Sequence, residues 1–495
     1  MKFSIAQARL VRRTVLAAAV AVTLVAAAYL EEDWRGARAW TTYLASEAQG
    51  RIYGAQTPSA VQPAPELNFM CSPVLAGVLF QSYDKATVRD YLRQLPVGFS
   101  DSTPWVEGRS LDLAAFVAAQ RKARPGDVAA GSLGSTPTLA ALELLKGSQV
   151  ILAPLRNALA TRPVSSVVKD SGTEHRLKGS EESPNFDLLV SLMQTLDVDA
   201  CANLAAGRSE VALEDSLACL RLSRGLLNAR DVTLLDTLVG DYGVSLSLQP
   251  VWEGIRRHAW TDGQLVRLQH ELDRVDELGS LTRSIVVARQ KLMVVMDDPT
   301  LMEAYFAPHR PGKRRSPRWT MLGLLPRGWA QQAKIGISEC VRTEIEMLRA
   351  SNTPDFFARR NEMKASDRAF VVRAKYNPYA RVAVPMLENF ERITQLAAVD
   401  SVDVALARTA CALERYRLAA GAYPDSLVRL VPEYLPAVPK DVVNGRPLRY
   451  RTQSAGDYLL YSVGIDGVDN DGEQGAASMR RVLARGDLAW PLMHK

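Results

Sequence analysis

Cysteine and histidine are scarce: five of each in 495 residues. Cys71, Cys201, Cys219, Cys340 and Cys411 form no C-x-x-C, which excludes zinc-knuckle and thioredoxin-type motifs. Their odd number leaves at least one thiol unpaired in an oxidising compartment. Cys201 and Cys219, the nearest pair, fall on opposite arms of a predicted helical hairpin turning near Gly207. That places them some 9 Å apart along the axis, beyond disulfide reach, so buried thiols acting as small apolar side chains are expected. His175, His258, His270, His309 and His494 are scattered, and those on predicted helices read as surface or capping residues. The chain also lacks G-x-x-x-x-G-K-[ST], G-x-G-x-x-G after a strand, H-E-x-x-H and G-x-S-x-G, the common phosphate, dinucleotide, zinc-protease and nucleophile-elbow signatures. A charge excess is missing as well: once Lys2, Arg9, Arg12 and Arg13 are set aside, 56 basic residues face 54 acidic ones, so the pI near 9.0 does not argue for nucleic acid. With 47% hydrophobic residues and no low-complexity bias, long disorder is excluded and about three domains are expected.

Those four basic residues precede Thr14–Leu30, an uncharged stretch of 17 residues stopped by Glu31, Glu32 and Asp33. As a helix it rises about 25 Å, enough to cross a bilayer core of roughly 30 Å if flanking side chains snorkel. Tyr29 and Trp34 suit the far interface, and the basic flank keeps its own end in the cytoplasm. The reading is a single-pass inner-membrane anchor with the bulk periplasmic. The alternative is a signal peptide cleaved at the small residues Ala26-Ala27-Ala28, giving a periplasmic or secreted protein. Asp33 to Gly50 continues the helix as a stalk with Trp34, Ala37, Trp40 and Leu44 on one stripe, and Pro58, Pro63 and Pro65 make Ala55–Leu67 an extended linker.

From Asn68 to Pro163, apolar stretches (Pro73–Tyr83, Leu111–Gln120, Thr138–Leu145, Val150–Ala160) predict short helices, with a β-branched strand at Val164–Lys169 and a polar loop behind it. Periodicity then predicts helices over Phe186–Ala205, Glu210–Leu227, Val232–His258 and Asp262–Leu278, with Pro184 in a first turn, Gly207 as a C-terminal cap and Thr261 as an N-cap. No 34-residue self-similarity recurs, which leaves a plain hairpin around Gly207. His309–Arg318 carries five Lys or Arg, with Pro308, Pro311 and Pro317 beside them, and reads as a solvated loop in preference to a basic patch for anionic lipid or nucleic acid.

The last hundred residues are the most informative. Pro385–Ala420 reads as one long helix, with Val402, Leu406, Thr409, Leu413 and Tyr416 on one stripe. Gly421-Ala422-Tyr423-Pro424, an Asn444-Gly445 turn, strands near Tyr450 and over Gly456–Gly464, an acidic loop Ile465–Glu473 and Asp487-Leu488-Ala489-Trp490 follow. This order resembles the globular head of the major pseudopilin of type II secretion systems, over Val402 to Trp490. The resemblance implies calcium held by Asp466 and Asp487, with the carbonyls of Leu460 and Ser462 as further ligands. Independently, Asp466, Asp469, Asn470, Asp471 and Glu473 crowd five hard-oxygen donors into eight residues, which suits calcium or a solvated acidic turn. Val442 replaces the family's proline, and the loop after Gly467 includes Arg480, Arg481 and Arg485. Pseudopilins carry their membrane helix directly before the spine, whereas 354 residues lie between Leu30 and Pro385 here, so polymerisation as a pseudopilus subunit is not expected. The body also resembles exported bacterial proteins in which a helical region precedes such a head.

The expected fold is mainly α, with an N-terminal membrane helix, a multi-helix ectodomain and a C-terminal α+β module of a long helix packed on a small antiparallel sheet. The divisions are 1–33 (signal anchor), 34–67 (stalk and linker), 68–384 (helical ectodomain, with a break near 163–183) and 385–495 (a module expected to fold alone). The expected function is that of a membrane-anchored, outward-facing structural or protein-binding protein of the bacterial envelope, with a calcium (Ca2+) site at Asp466, Asp487, Leu460, Ser462, Asp469 and Asp471. Its partners are the membrane and envelope proteins, with no nucleic acid. The alternative is an exported hydrolase whose catalytic carboxylates, distant in sequence, converge in the helical body.

Overall fold

The computed structural model describes residues 5–50, 64–76, 85–96, 104–123, 136–167, 185–229, 231–298, 301–302, 323–453, 456–473 and 486–491. The chain is mainly helical, with one three-stranded antiparallel sheet near the C-terminus. It divides into two compact units, Met1–Gln56 with Ala288–Ile345 and Asn361–Phe390, and Thr57–Val287 with Glu346–Arg360 and Glu391–Lys495. The C-terminal sheet therefore shares a unit with the helical body, where the sequence led us to expect a separate module.

In the first unit, α1 (Ile5–Gly50) joins the apolar run and the stalk in one helix, as the uninterrupted helix-forming sequence requires. Its most apolar window has mean hydropathy 1.9 and is fully exposed, with Leu16, Val22, Leu24 and Leu30 all facing outward. Two further stretches, Pro137–Thr161 and Phe186–Ala205, are also long and apolar enough to span a bilayer, but 39% and 78% of their windows are buried inside the protein. The stalk half of α1 crosses α12 (Arg327–Arg349) at paired glycines, where a Cβ on Gly36 would lie 2.3 Å from Gly328 Cα. Only hydrogen side chains permit this approach. Beside it the Gly328 amide donates to Asp33 (2.9 Å) and the Tyr29 hydroxyl to the Leu324 carbonyl (2.8 Å).

The second unit is built on α7 (Phe186–Ala205), α8 (Ser209–Leu227) and α9 (Leu234–Arg256). Gly240 and Gly243 let α9 press against α8, where added Cβ atoms would meet Leu227 and Ser223 at 2.7 and 2.3 Å. Asn185 caps α7 through the Leu188 amide, and Gly207, at φ +74°, ends its turn into α8. Thr261 caps α10 (Asp262–Leu272) in a reciprocal box with Gln264. The expected helix over Asp262–Leu278 breaks after Leu272, and α11 (Glu277–Val295) begins anew. At the new start, the Asp276 side chain accepts the Gly279 amide. Ahead of this core, α4 (Leu113–Ala123), α5 (Pro137–Leu144) and α6 (Gln149–Thr161) match three of the expected short helices. Of the fourth, only Pro73–Ala76 is helical among the described residues. Val164 makes an isolated parallel bridge to Asn68 where a strand was expected. The linker before residue 64, Pro184, the polar loop behind Val164 and the basic segment His309–Arg318 lie outside the described residues.

The spine helix, called α14 here, runs Pro378–Ala420, beginning earlier than expected and passing through Pro385; α13 (Phe356–Ala374) precedes it. After Gly421 (φ +80°) come β1 (Arg449–Gln453), β2 (Asp457–Ser462) and β3 (Leu488–Ala489), paired antiparallel in that order. Registers run Arg449 to Tyr461 through Gln453 to Asp457, then Tyr461 to Ala489 and Ser462 to Leu488. This sheet packs on the body through wholly buried aromatics. Trp490 lies 5.5 Å from Trp105, Trp252 Nε1 donates to the Pro491 carbonyl (2.9 Å), and Arg256 covers the Tyr458 ring and pairs with Asp457 (2.8 Å). Burying Trp490 and Tyr458 against body side chains explains why the sheet does not stand apart. All five cysteines are free; Cys71 is half-buried and the others are buried.

Candidate functional site

The spine ends at a polar knot. Glu414 is buried, and its carboxylate accepts from Arg417 Nε and Nη2 (2.8 and 2.7 Å) and from the Tyr423 hydroxyl (2.8 Å). Its Oε1 is also 2.9 Å from His258 Nδ1. Burial alone would raise this carboxyl, but Arg417, His258 and Tyr423 together bring it below its ordinary value. Tyr423 also meets Tyr458 edge to face at 4.8 Å, and Tyr450 donates to the Pro424 carbonyl. The Gly-Ala-Tyr-Pro segment thus latches the helix end to the sheet.

The acidic loop between β2 and β3 is organised by its own aspartates. Asp487, buried at the foot of β3, accepts the Asn470 amide (3.0 Å) and the Gly472 amide (2.6 Å). Asp466 accepts the amides of Val468 (3.1 Å) and Gly486 (3.2 Å), tying the loop's start to its end. Burial raises the Asp487 carboxyl; the two amides oppose the rise, and the charges of Asp469 and Asp466 add to it. Asp469 is turned to Arg449 (3.1 Å), the Tyr461 hydroxyl (3.1 Å) and the Asp471 amide, and Asp471 toward Arg451. The Leu460 carbonyl accepts the Trp490 amide, and the Ser462 hydroxyl accepts that of Gly464. Of the sequence-predicted ligands, then, Asp466, Asp469 and Asp487 share one electrostatic neighbourhood, while Leu460 and Ser462 belong to the ladder of β2. Among the described residues no three His, Cys, Asp or Glu side chains converge as a metal-ion group. Any calcium here leans on backbone carbonyls and water beside two carboxylates, a donor mix that calcium accepts. Arg480, Arg481 and Arg485 lie outside the described residues.

A second candidate left no trace in the sequence. A cavity of about 350 Å³ opens between the start of α11, the middle of α14 and the segment Leu435–Val442. Glu277, Ser401, Arg408 and Lys440 are among its lining residues. Glu277 is the first residue of α11, Asp241 comes from α9, and Asp400 and Asp403 come from α14. Burial drives the Glu277 carboxyl well above its ordinary value, the charges of Asp241, Asp400 and Asp403 push it further, and Ser401 opposes them. Burial and Asp400 raise Asp241 likewise. Periodicity could mark each helix, but not that the charges at positions 241, 277 and 400 act on one another.

Comparison with family models, with curated proteins and with solved structures returned no match.

Proposed function

We propose that this chain is an envelope protein held in the inner membrane by α1, with its bulk on the periplasmic side and a pseudopilin-head-like C-terminal module that serves structure or protein binding. The observation that carries the reading is the wholly exposed apolar window of α1, since an apolar face of that length left bare in water needs a bilayer around it. The four basic residues before Thr14 set the orientation. The order of spine, Gly421 turn, β1, β2, acidic loop and β3 supports the pseudopilin likeness. Because the sheet is built into the helical body, the module acts as one face of a larger ectodomain and does not polymerise as a pilus subunit. Envelope proteins are its partners.

Calcium is the module's ligand in this reading, held by Asp466 and Asp487. Its support is the repulsion that Asp466 and Asp469 exert on the buried Asp487 carboxyl, which a dication relieves. A ligand bound only to the folded form at a hundredfold excess over Kd stabilises it by about 2.7 kcal/mol. The full-length protein in detergent should melt higher in millimolar calcium than in chelator. Magnesium should be a poor substitute, and Asp466→Ala or Asp487→Ala should abolish the difference. Equal melting in calcium and chelator refutes the ion site. The topology is tested separately, by membrane fractionation with N-terminal sequencing and by reporter fusions after residue 60; an active cytoplasmic reporter with a silent periplasmic one overturns it.

A further inference from the structure

We propose that the cavity lined by Glu277 binds a small ligand of amino-acid or short-peptide size through a protonated amine, with Glu277 as the counter-ion and the charge of Asp241 acting on it. Several buried acids elsewhere in this unit are matched by a cation from the chain itself. Arg156 serves Asp199 and Asp215, Arg221 and Arg224 serve Glu271, Arg257 serves Glu253, and Arg417 serves Glu414. Like Asp197, Glu277 and Asp241 depart from this. Glu277 and Asp241 are 3% and 2% exposed, and among the described residues Glu277 Oε1 and both Asp241 carboxylate oxygens have no hydrogen-bond partner. Buried oxygens left this way are rare in folded proteins, because each forfeits its hydrogen bonds to water. Here Glu277, the residue that carries one of these oxygens, lines a cavity large enough for a small molecule.

The ligand's chemistry follows from the walls. An ammonium carries three donors and a full charge, which suits Glu277 backed by Asp241. A bare metal ion is disfavoured by the absence, among the described residues, of three converging ligand side chains. The cavity is also amphoteric, since Arg408 and Lys440 share its wall. Arg408 is already paired with Asp273, which leaves Lys440 at the rim to meet an anionic group on the same ligand. A zwitterion therefore fits better than a plain diamine. The other groups facing Glu277 are Asp400, Ser401 and Asp403 on α14 and Asp276 just before it. Burial raises both carboxyls above their ordinary values, so seating an ammonium there, which favours the charged form, is coupled to proton release.

The test uses the full-length protein in detergent with three probes, L-lysine, cadaverine and glutarate. L-Lysine should raise the melting midpoint by a few degrees and cadaverine by less, with glutarate ineffective. Calorimetry of L-lysine binding in two buffers of different ionisation heat should show proton release. Glu277→Gln keeps the shape of the site while removing its charge. It should weaken L-lysine binding at least tenfold and abolish the proton release, and Asp241→Asn provides the same reading independently. Stabilisation by glutarate alone, binding without proton release, an unchanged affinity in both variants, or no response to either amine would each overturn the proposal.

Discussion

Replacing Glu414 by alanine removes the acceptor at the centre of the knot that ties α14 to Tyr423 and to His258 at the end of α9. Four donor contacts end on this one carboxylate, from His258, twice from Arg417, and from Tyr423. Breaking a buried ion pair by deleting one partner typically costs about 3–5 kcal/mol. The His258 side chain, however, is 49% exposed and that of Arg417 23%, so both can turn to water once released. The expected loss therefore falls below that range, at about 2–3 kcal/mol, with Tyr423→Phe costing about 1 kcal/mol and the two changes less than additive. Urea denaturation of the full-length protein, followed by tryptophan fluorescence, reads this directly. The pH dependence carries a sign. Because the folded carboxyl lies below its ordinary value of 4.5, the charge contributes stability above that value, and the contribution disappears as pH falls through the folded pKa. The gap between wild type and Glu414→Gln should then narrow below about pH 4.5. A Glu414→Ala protein within 0.5 kcal/mol of wild type at pH 7, a margin typical of about any surface change, would refute the assignment of this carboxylate as a structural tie.

Glu277→Gln should act in the opposite direction. Its carboxyl is raised in the folded state, so folding is penalised as pH climbs from the unfolded pKa toward the folded one; the variant should exceed wild type in urea midpoint at pH 7–8, and the two should converge near pH 4. The fragment Pro385–Lys495 should show no cooperative thermal transition alone, since exposing Trp490 and Tyr458 forfeits about 5 kcal/mol or more of burial; a sharp transition in differential scanning calorimetry would show that the sheet needs no body.

Local signals were legible where the chain's own neighbours decide the outcome. Apolar periodicity located α7 and α8 to within a residue, Thr261 announced its capping box, and Gly207 and Gly421 stand where left-handed backbone is required. β1 and β2 came in the order that the turn residues and the Tyr-Leu-Leu-Tyr run suggested, whereas β3 at Leu488–Ala489 was not foreseen as a strand. Misjudged features all depend on distant partners. The apolar pattern of Leu265, Leu268 and Leu272 continues into Leu278, so nothing local shows the break that Asp276 caps. Pro385 looked like a helix start, yet it sits inside a helix that begins at Pro378. The C-terminal residues had the alternation of a self-sufficient sheet, but Trp105 and Trp252, far away in sequence, complete its core. The acidic loop was read correctly as dense in donors, whereas its pairings with Arg449 and Arg451 follow from the register of β1 on β2.

The bond from Trp252 to the carbonyl of Pro491 closes across 239 residues. A ribosome adding about 5–20 residues per second needs some 10–50 s to travel that distance. Throughout that interval the body's tryptophan surface has been synthesised and its cover has not. Every nascent chain thus displays an aromatic face to chaperones and proteases until β3 emerges. A message truncated shortly before Leu488 yields a protein that keeps this face open permanently, marked for proteolysis by the same exposure that in the complete chain is only a passing stage of synthesis.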